Sequence, residues 1–178
     1  MLDHMIQRLR RLFGRRLPQH GLDPTQAMER YKRGMALFDD AKWSAAEREF
    51  TAAIMSSIPI AGMYHHRGSA FAEQGKHQEA VADYDAAVRL RPDYPDQYVD
   101  RGNSSHALGR DENALKDYSE AIRLRPDYPE AYANRAAVNA ALGNNEASRK
   151  DADEATARGI DGAALESLLG ETVKARRK

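Results

Sequence analysis

Residues 87–94 read AVRLRPDY, and residues 121–128 read AIRLRPDY, the same segment 34 positions later. The same offset organises most of the chain. Gly34, Gly68 and Gly102 are spaced by 34, with Ala136 in fourth place. Ala46, Ala80 and Ala114 keep the interval, followed by Ser148, and Phe50, Tyr84 and Tyr118 keep it too, followed by Ala152. Ala53, Ala87, Ala121 and Ala155 match in all four units. Arg67, Arg101 and Arg135 stand one residue before the Gly/Ala position, and Pro92 and Pro126 close the second and third units. So many registered matches at one interval are the mark of an internal repeat.

Each unit reads as two helices. In the third, Tyr98, Arg101, Gly102 and Ser105 fall at i, i+3, i+4 and i+7, one face of an amphipathic helix. Leu108–Asp111 then makes a turn, with Gly109 suited to a left-handed residue after the helix. Asp111 is expected to cap the second helix, which carries Ala114, Leu115, Tyr118, Ala121 and Ile122 on one face. Pro126 ends it, because proline lacks the N–H and clashes with the preceding turn. Small residues at the shared positions let the two helices approach closely, and the aromatic of the second helix fills the space between them.

The 34-residue pattern resembles the tetratricopeptide repeat. Its aromatic, Gly, Ala, aromatic, Ala, Pro signature stands as Tyr64, Gly68, Ala80, Tyr84, Ala87, Pro92 and again as Tyr98, Gly102, Ala114, Tyr118, Ala121, Pro126. The first unit departs, with Arg30 in place of the first aromatic and its proline, Pro59, one residue late. The fourth departs further, with Ser148 and Ala152 in the second helix and Ile160 where proline is expected. The resemblance implies an all-α, right-handed α-solenoid of four helix-turn-helix repeats at 27–60, 61–94, 95–128 and 129–162. A solvating C-terminal helix would follow at 163–178, with an apolar face of Ala164, Leu165, Leu168, Leu169 and Val173 and a basic end suited to the helix dipole. It also implies cross-repeat ion pairs, Asp83 with Arg101 and Asp117 with Arg135.

In such arrays the first helix of each unit lines a concave groove. By that resemblance the first unit contributes an apolar strip of Met28, Tyr31, Met35 and Phe38, together with Lys32. The strip either receives a partner or is covered by the N-terminal segment. The later units contribute His65, His66 and Ser69, then Asp96, Asp100, Asn103 and His106, then Glu130 and Asn134. Asn103 and Asn134 match two asparagines of the carboxylate clamp with which some relatives hold acidic chaperone tails. The clamp's cations are unmatched, because Val99, Ala164 and Ser167 stand in the basic places. The expected ligand is therefore an extended peptide of some basic character, steered by the acids.

Residues 1–26 are different. Leu2, Met5, Ile6, Leu9, Leu12 and Phe13 share one helical face, flanked by Arg8, Arg11 and Arg15 with Arg10 and Arg16 beside them. This is a basic amphipathic helix, followed by a linker containing Pro18, Gly21 and Pro24. Four roles fit it: docking on the first repeats, binding an anionic membrane surface, binding a partner or a second copy of the chain, and organellar targeting.

Composition narrows the function. The net charge is zero, but residues 1–26 carry five arginines against two aspartates, residues 163–178 are also net basic, and residues 27–162 are net acidic by five. That distribution speaks against a nucleic-acid-binding face. With no cysteine among 178 residues, disulfides, thiol catalysis and thiolate metal sites are excluded. No apolar run approaches the roughly 20 residues that span a bilayer. His65, His66 and His106 with Asp96 and Asp100 could suit a metal, but adjacent helical residues point about 100° apart. Neither a phosphate loop nor a nucleophile elbow is present. The expectation is a non-catalytic adaptor or scaffold without cofactor, in the cytoplasm, with a protein or peptide ligand and possible self-association. The alternative is a membrane-peripheral tethering factor held by residues 1–16.

Overall fold

The computed structural model describes residues 24–56 and 59–176, which form helices joined by short turns. In chain order these are α1 (Pro24–Asp39), α2 (Trp43–Ser56), α3 (Ala61–Glu73), α4 (His77–Leu90), α5 (Pro95–Ala107), α6 (Asp111–Leu124), α7 (Pro129–Leu142), α8 (Asn145–Ala157) and α9 (Gly162–Arg176). Proline occupies the first position of α1, α5 and α7, where its fixed φ suits the helix and its missing N–H costs nothing. Pro24 therefore begins α1 rather than ending the linker. Arg91 and Arg125, each followed by proline, leave helical geometry at φ −146° and −136°, which ends α4 and α6.

Within each pair the turn is the same. Ala41, Gly75, Gly109 and Gly143 sit at φ +57°, +73°, +70° and +82°. The next amide in each turn, from Lys42, Lys76, Arg110 and Asn144, closes back on the carbonyl of Leu37, Phe71, Ser105 and Asn139 at 2.8–2.9 Å. This is the Schellman closure, which satisfies carbonyls that the helix end leaves open. Ala41 alone meets it with a Cβ, at a left-handed cost of about 1–2 kcal/mol. Ala41→Gly should stabilise the protein by about 0.5–1 kcal/mol after the greater chain entropy of glycine is counted. A denaturation midpoint that fails to rise would refute this.

Asp111 does not cap α6. It is the first residue of the helix, Arg110 holds the cap position, and no side chain caps it. The Asp111 carboxylate instead receives His106 Nδ1 at 2.6 Å, while its charge still suits the positive end of the helix dipole. A true side-chain cap occurs before α9, where Asp161 Oδ1 accepts the amides of Ala163 and Ala164 at 2.9 and 3.1 Å.

The pairs α1–α2, α3–α4, α5–α6 and α7–α8 stack in sequence, and α9 closes the stack against α7 and α8. Their cores follow the period. Ala46, Ala80 and Ala114 are fully buried, as are Ala53, Ala87, Ala121 and Ala155, and Phe50, Tyr84 and Tyr118 are at most 2% exposed. The aromatics lie over the glycines. A Cβ on Gly34, Gly68 or Gly102 would meet the ring of Phe50, Tyr84 or Tyr118 at 2.5, 2.9 and 2.7 Å. In the fourth pair the ring is replaced by Ala152 and the glycine by Ala136. Ser148 there donates its buried hydroxyl to the Ala136 carbonyl at 2.9 Å. On α9, Leu165 is buried against Tyr132 and Ala155, with Leu169 beside it. Ala164 and Leu168 are exposed, so the buried stripe is narrower than the sequence suggested.

The repeated arginines are buttressed differently from the expected cross-repeat scheme. Arg67, Arg101 and Arg135 each form a two-pronged pair within their own unit, with Asp83, Asp117 and Asp151, at 2.6–3.0 Å. The remaining Nη1 reaches back across the repeat boundary to Thr51, Asp85 and Ser119, at 3.2, 2.7 and 2.9 Å. Asp83 therefore belongs to Arg67 and Asp117 to Arg101. The cross-repeat contact of Arg101 is with Asp85, one half-turn further along α4.

Candidate peptide-binding groove

Among the described residues, the first helices of successive pairs (α1, α3, α5 and α7) touch one another directly, whereas the second helices (α2, α4, α6 and α8) do not. The stack therefore curves with the first helices on its inner face, and their side chains line the groove.

At the first-repeat end the apolar strip divides. Tyr31, Met35 and Phe38 are half-buried against Phe50, Ala46 and Ala70, and Phe38 packs edge-on against Trp43 at 4.7 Å between centroids. Met28 is 39% exposed. Tyr31 crosses to α3 because residue 62 is glycine: a Cβ there would sit 2.9 Å from the Tyr31 hydroxyl.

A row of aromatic rings follows. His66 Nδ1 lies 2.7 Å from the Gly62 carbonyl and 2.9 Å from the Tyr31 hydroxyl, so one N–H can serve both. Burial pulls the His66 imidazole below its ordinary range, opposed by the bond to Gly62 and reinforced by neighbouring His65, so it is neutral at pH 7. His65 packs against His66 and Tyr84, with Tyr94 edge-on at 6.2 Å. Its Nε2 contacts Asp100 Oδ2 of the next repeat at 2.7 Å. The two imidazoles thus have separate partners, and no cluster of three metal-ligating groups occurs among the described residues. Ser69 donates to the His65 carbonyl at 3.1 Å and accepts from Tyr84 at 3.3 Å.

Further along, Tyr118 and Asn134 both donate to Asn103 Oδ1 at 2.9 Å. The Asn103 amide N–H groups and the Asn134 carbonyl oxygen point to no protein partner among the described residues, so a donor and an acceptor stand side by side for a ligand. Glu130 is exposed and makes no ion pair among them. Asp96 is less available than the sequence suggested, because Arg125 pairs with it at 3.1 Å. Burial pushes the Asp96 carboxyl up, but the hydroxyls of Tyr128 and Tyr94 and the Arg125 charge outweigh it and hold it below the usual range. His106 is turned towards Asp111 across the turn between α5 and α6. Val99 is only 5% exposed and offers the groove nothing. The residues proposed for a membrane or partner helix, Leu2, Met5, Ile6, Arg8, Leu9, Arg11, Leu12, Phe13 and Arg15, lie outside the described residues.

Sequence reasoning missed the role of the RPDY segment, although its recurrence marked it. Arg91 stacks on Tyr94 at 4.8 Å and Arg125 on Tyr128 at 4.4 Å, which holds these tyrosines at the repeat junctions. Tyr98 and Tyr132 then donate to the carbonyls of Pro92 and Pro126.

Comparison with known proteins agrees with this architecture. A family profile described as TPR repeat matches residues 68–109 and 102–143. Among solved structures, the crystal structure of MamA superposes with a TM-score of 0.73 at 21% identity, covering 76% of this chain and 80% of that one. YrrB, described as a TPR protein with an unusual peptide-binding site, gives 0.73 at 18% identity over 85% and 76%. The first TPR domain of Spaghetti (RPAP3), bound to the HSP90 peptide SRMEEVD, gives 0.66 at 27% identity over 68% and 97%. No curated protein matches in sequence.

Proposed function

We propose that this chain, a member of the tetratricopeptide-repeat family, is a non-catalytic adaptor that holds an extended, basic segment of a partner protein in its concave face. The row formed by Asp100, Asn103, Glu130 and Asn134 carries the reading: spare amide groups beside carboxylates, with no cation among these four. Backbone groups of an extended ligand would bond to the asparagines, and its lysines or arginines would be drawn to the acids. The cytoplasm, where a cysteine-free adaptor loses nothing to reduction, is the proposed setting.

The relative bound to SRMEEVD provides the contrast. This chain has Val99, Ala164 and Ser167 where a clamp for such a tail would need cations, and an unpaired carboxylate beside Glu130 would be repelled. Anisotropy titration with labelled peptides should therefore rank a capped lysine- and arginine-bearing peptide at least tenfold tighter than SRMEEVD. Asp100→Asn with Glu130→Gln should weaken the basic peptide several-fold and flatten its salt dependence. Equal or tighter binding of the acidic peptide would overturn the proposal.

A further inference from the structure

We propose that the basic N-terminal segment of this same chain, residues 2–16, is the occupant of the concave face. The inference rests on the reading of that face as the binding surface. Three observations carry it. First, the two surfaces are complementary in kind. The groove begins apolar at Met28, Tyr31 and Met35 and becomes acidic at Asp100 and Glu130. The segment likewise combines an apolar face from Leu2 to Phe13 with five arginines between Arg8 and Arg16. Second, their charges are opposite. Residues 1–26 are net +3, and residues 27–162 are net −5. Because His66 is kept neutral by burial, it does not offset the groove acids near pH 7.

Third, the tether has the right reach. Residues 17–23 lead directly into α1 at Pro24, and Met28 lies about one turn inside that helix. Seven residues extend at most about 25 Å. A short tether holds the segment at an effective concentration on the order of millimolar, so even weak contacts would keep it in place, and a second copy at micromolar concentration could not compete.

The absence of cysteine makes the test direct. A nitroxide attached through Gln7→Cys in the full chain should broaden the amide signals of Met35, Ser69 and Asp100 by more than half. Those of Glu79 and Lys116 on the outer helices should keep their intensity. A mixture of labelled unenriched chain with unlabelled enriched chain should show no broadening. Changing Arg8, Arg11 and Arg15 to Glu should abolish the effect and raise the affinity for the capped basic peptide roughly tenfold.

Broadening that is absent, indiscriminate, or seen only in the mixture would overturn the inference, the last result assigning the segment to a second copy. Flotation of the chain on phosphatidylserine vesicles with no concave broadening in buffer would overturn it in favour of a membrane surface. Equal peptide affinity in both chains would overturn it while leaving the groove reading intact. Failure of the charge-reversed chain to bind any basic peptide would instead refute the groove reading, and with it the inference.

Discussion

Gly102→Ala should cost about 3 kcal/mol of stability, the upper part of the range for overpacking a close-packed core. The added methyl would lie 2.7 Å from Tyr118 Cε1, closer than real carbons approach, and a tight 3.1 Å from Cδ1 and Cζ. The ring has little freedom to move aside. Tyr118 is 1% exposed, and its hydroxyl is bonded to Asn103 in the groove. Tyr118→Ala should cost about 3–5 kcal/mol by leaving a cavity. The two changes should not add, because each removes the other's obstacle. The fourth repeat already shows the outcome: Ala136 stands opposite Ala152 where the earlier repeats have glycine opposite an aromatic. The double variant should be no less stable than Tyr118→Ala alone, a coupling of about 3 kcal/mol in a double-mutant cycle. Additive losses in urea denaturation would show that glycine is not there to admit the ring.

The same contact explains what could be read from the sequence. Helix pairing was legible because the signals are local and recur at fixed places: a small residue in all four units, a turn glycine in the last three, an aromatic in the first three, and a proline closing the second and third. The arginine partners were misassigned although the information was present. Gly102 meets Tyr118, 16 positions on, so the residues just before them, Arg101 and Asp117, must also face each other. Arg67 with Asp83 and Arg135 with Asp151 obey the same interval. The cross-repeat contact runs 16 positions backwards, to Asp85 rather than Asp83, a two-residue difference fixed by how α4 crosses α5. Spacing alone does not supply that angle. Asp96 was read as a free groove acid for a similar reason. Its neutralisation by Arg125 requires the junction between α6 and α7 to fold back over the start of α5, which no periodicity encodes. In the groove, sequence could place positions on the inner face, but it could not say which polar groups the protein itself would satisfy.

Arg101→Ala should destabilise the protein by about 3 kcal/mol, because it strands a buried carboxylate. The Asp117 side chain is 9% exposed and that of Arg101 20% exposed. Burial pushes the Asp117 carboxyl up against the opposing pull of Arg101, and it works against the charge on Arg101 too, which Asp117 and Asp85 nonetheless hold firmly protonated. Asp85 is a different kind of partner. It is 44% exposed and can return to water, so Asp85→Ala should cost less than about 1 kcal/mol. Replacing both members of the inner pair, Arg101→Met with Asp117→Leu, should recover most of the loss, since apolar groups of similar shape need no partner. Peptide affinity should change less than twofold in all three variants, because the pair acts on how α5 seats against α6 and α4, away from Asn103, Asn134 and Glu130. Equal losses for Arg101→Ala and Asp85→Ala would show that the cross-repeat contact, and not the pair within the repeat, carries the energy. The repeats would then be joined chiefly by that bridge, and Arg101 would set the curvature of the groove rather than the stability of a single unit.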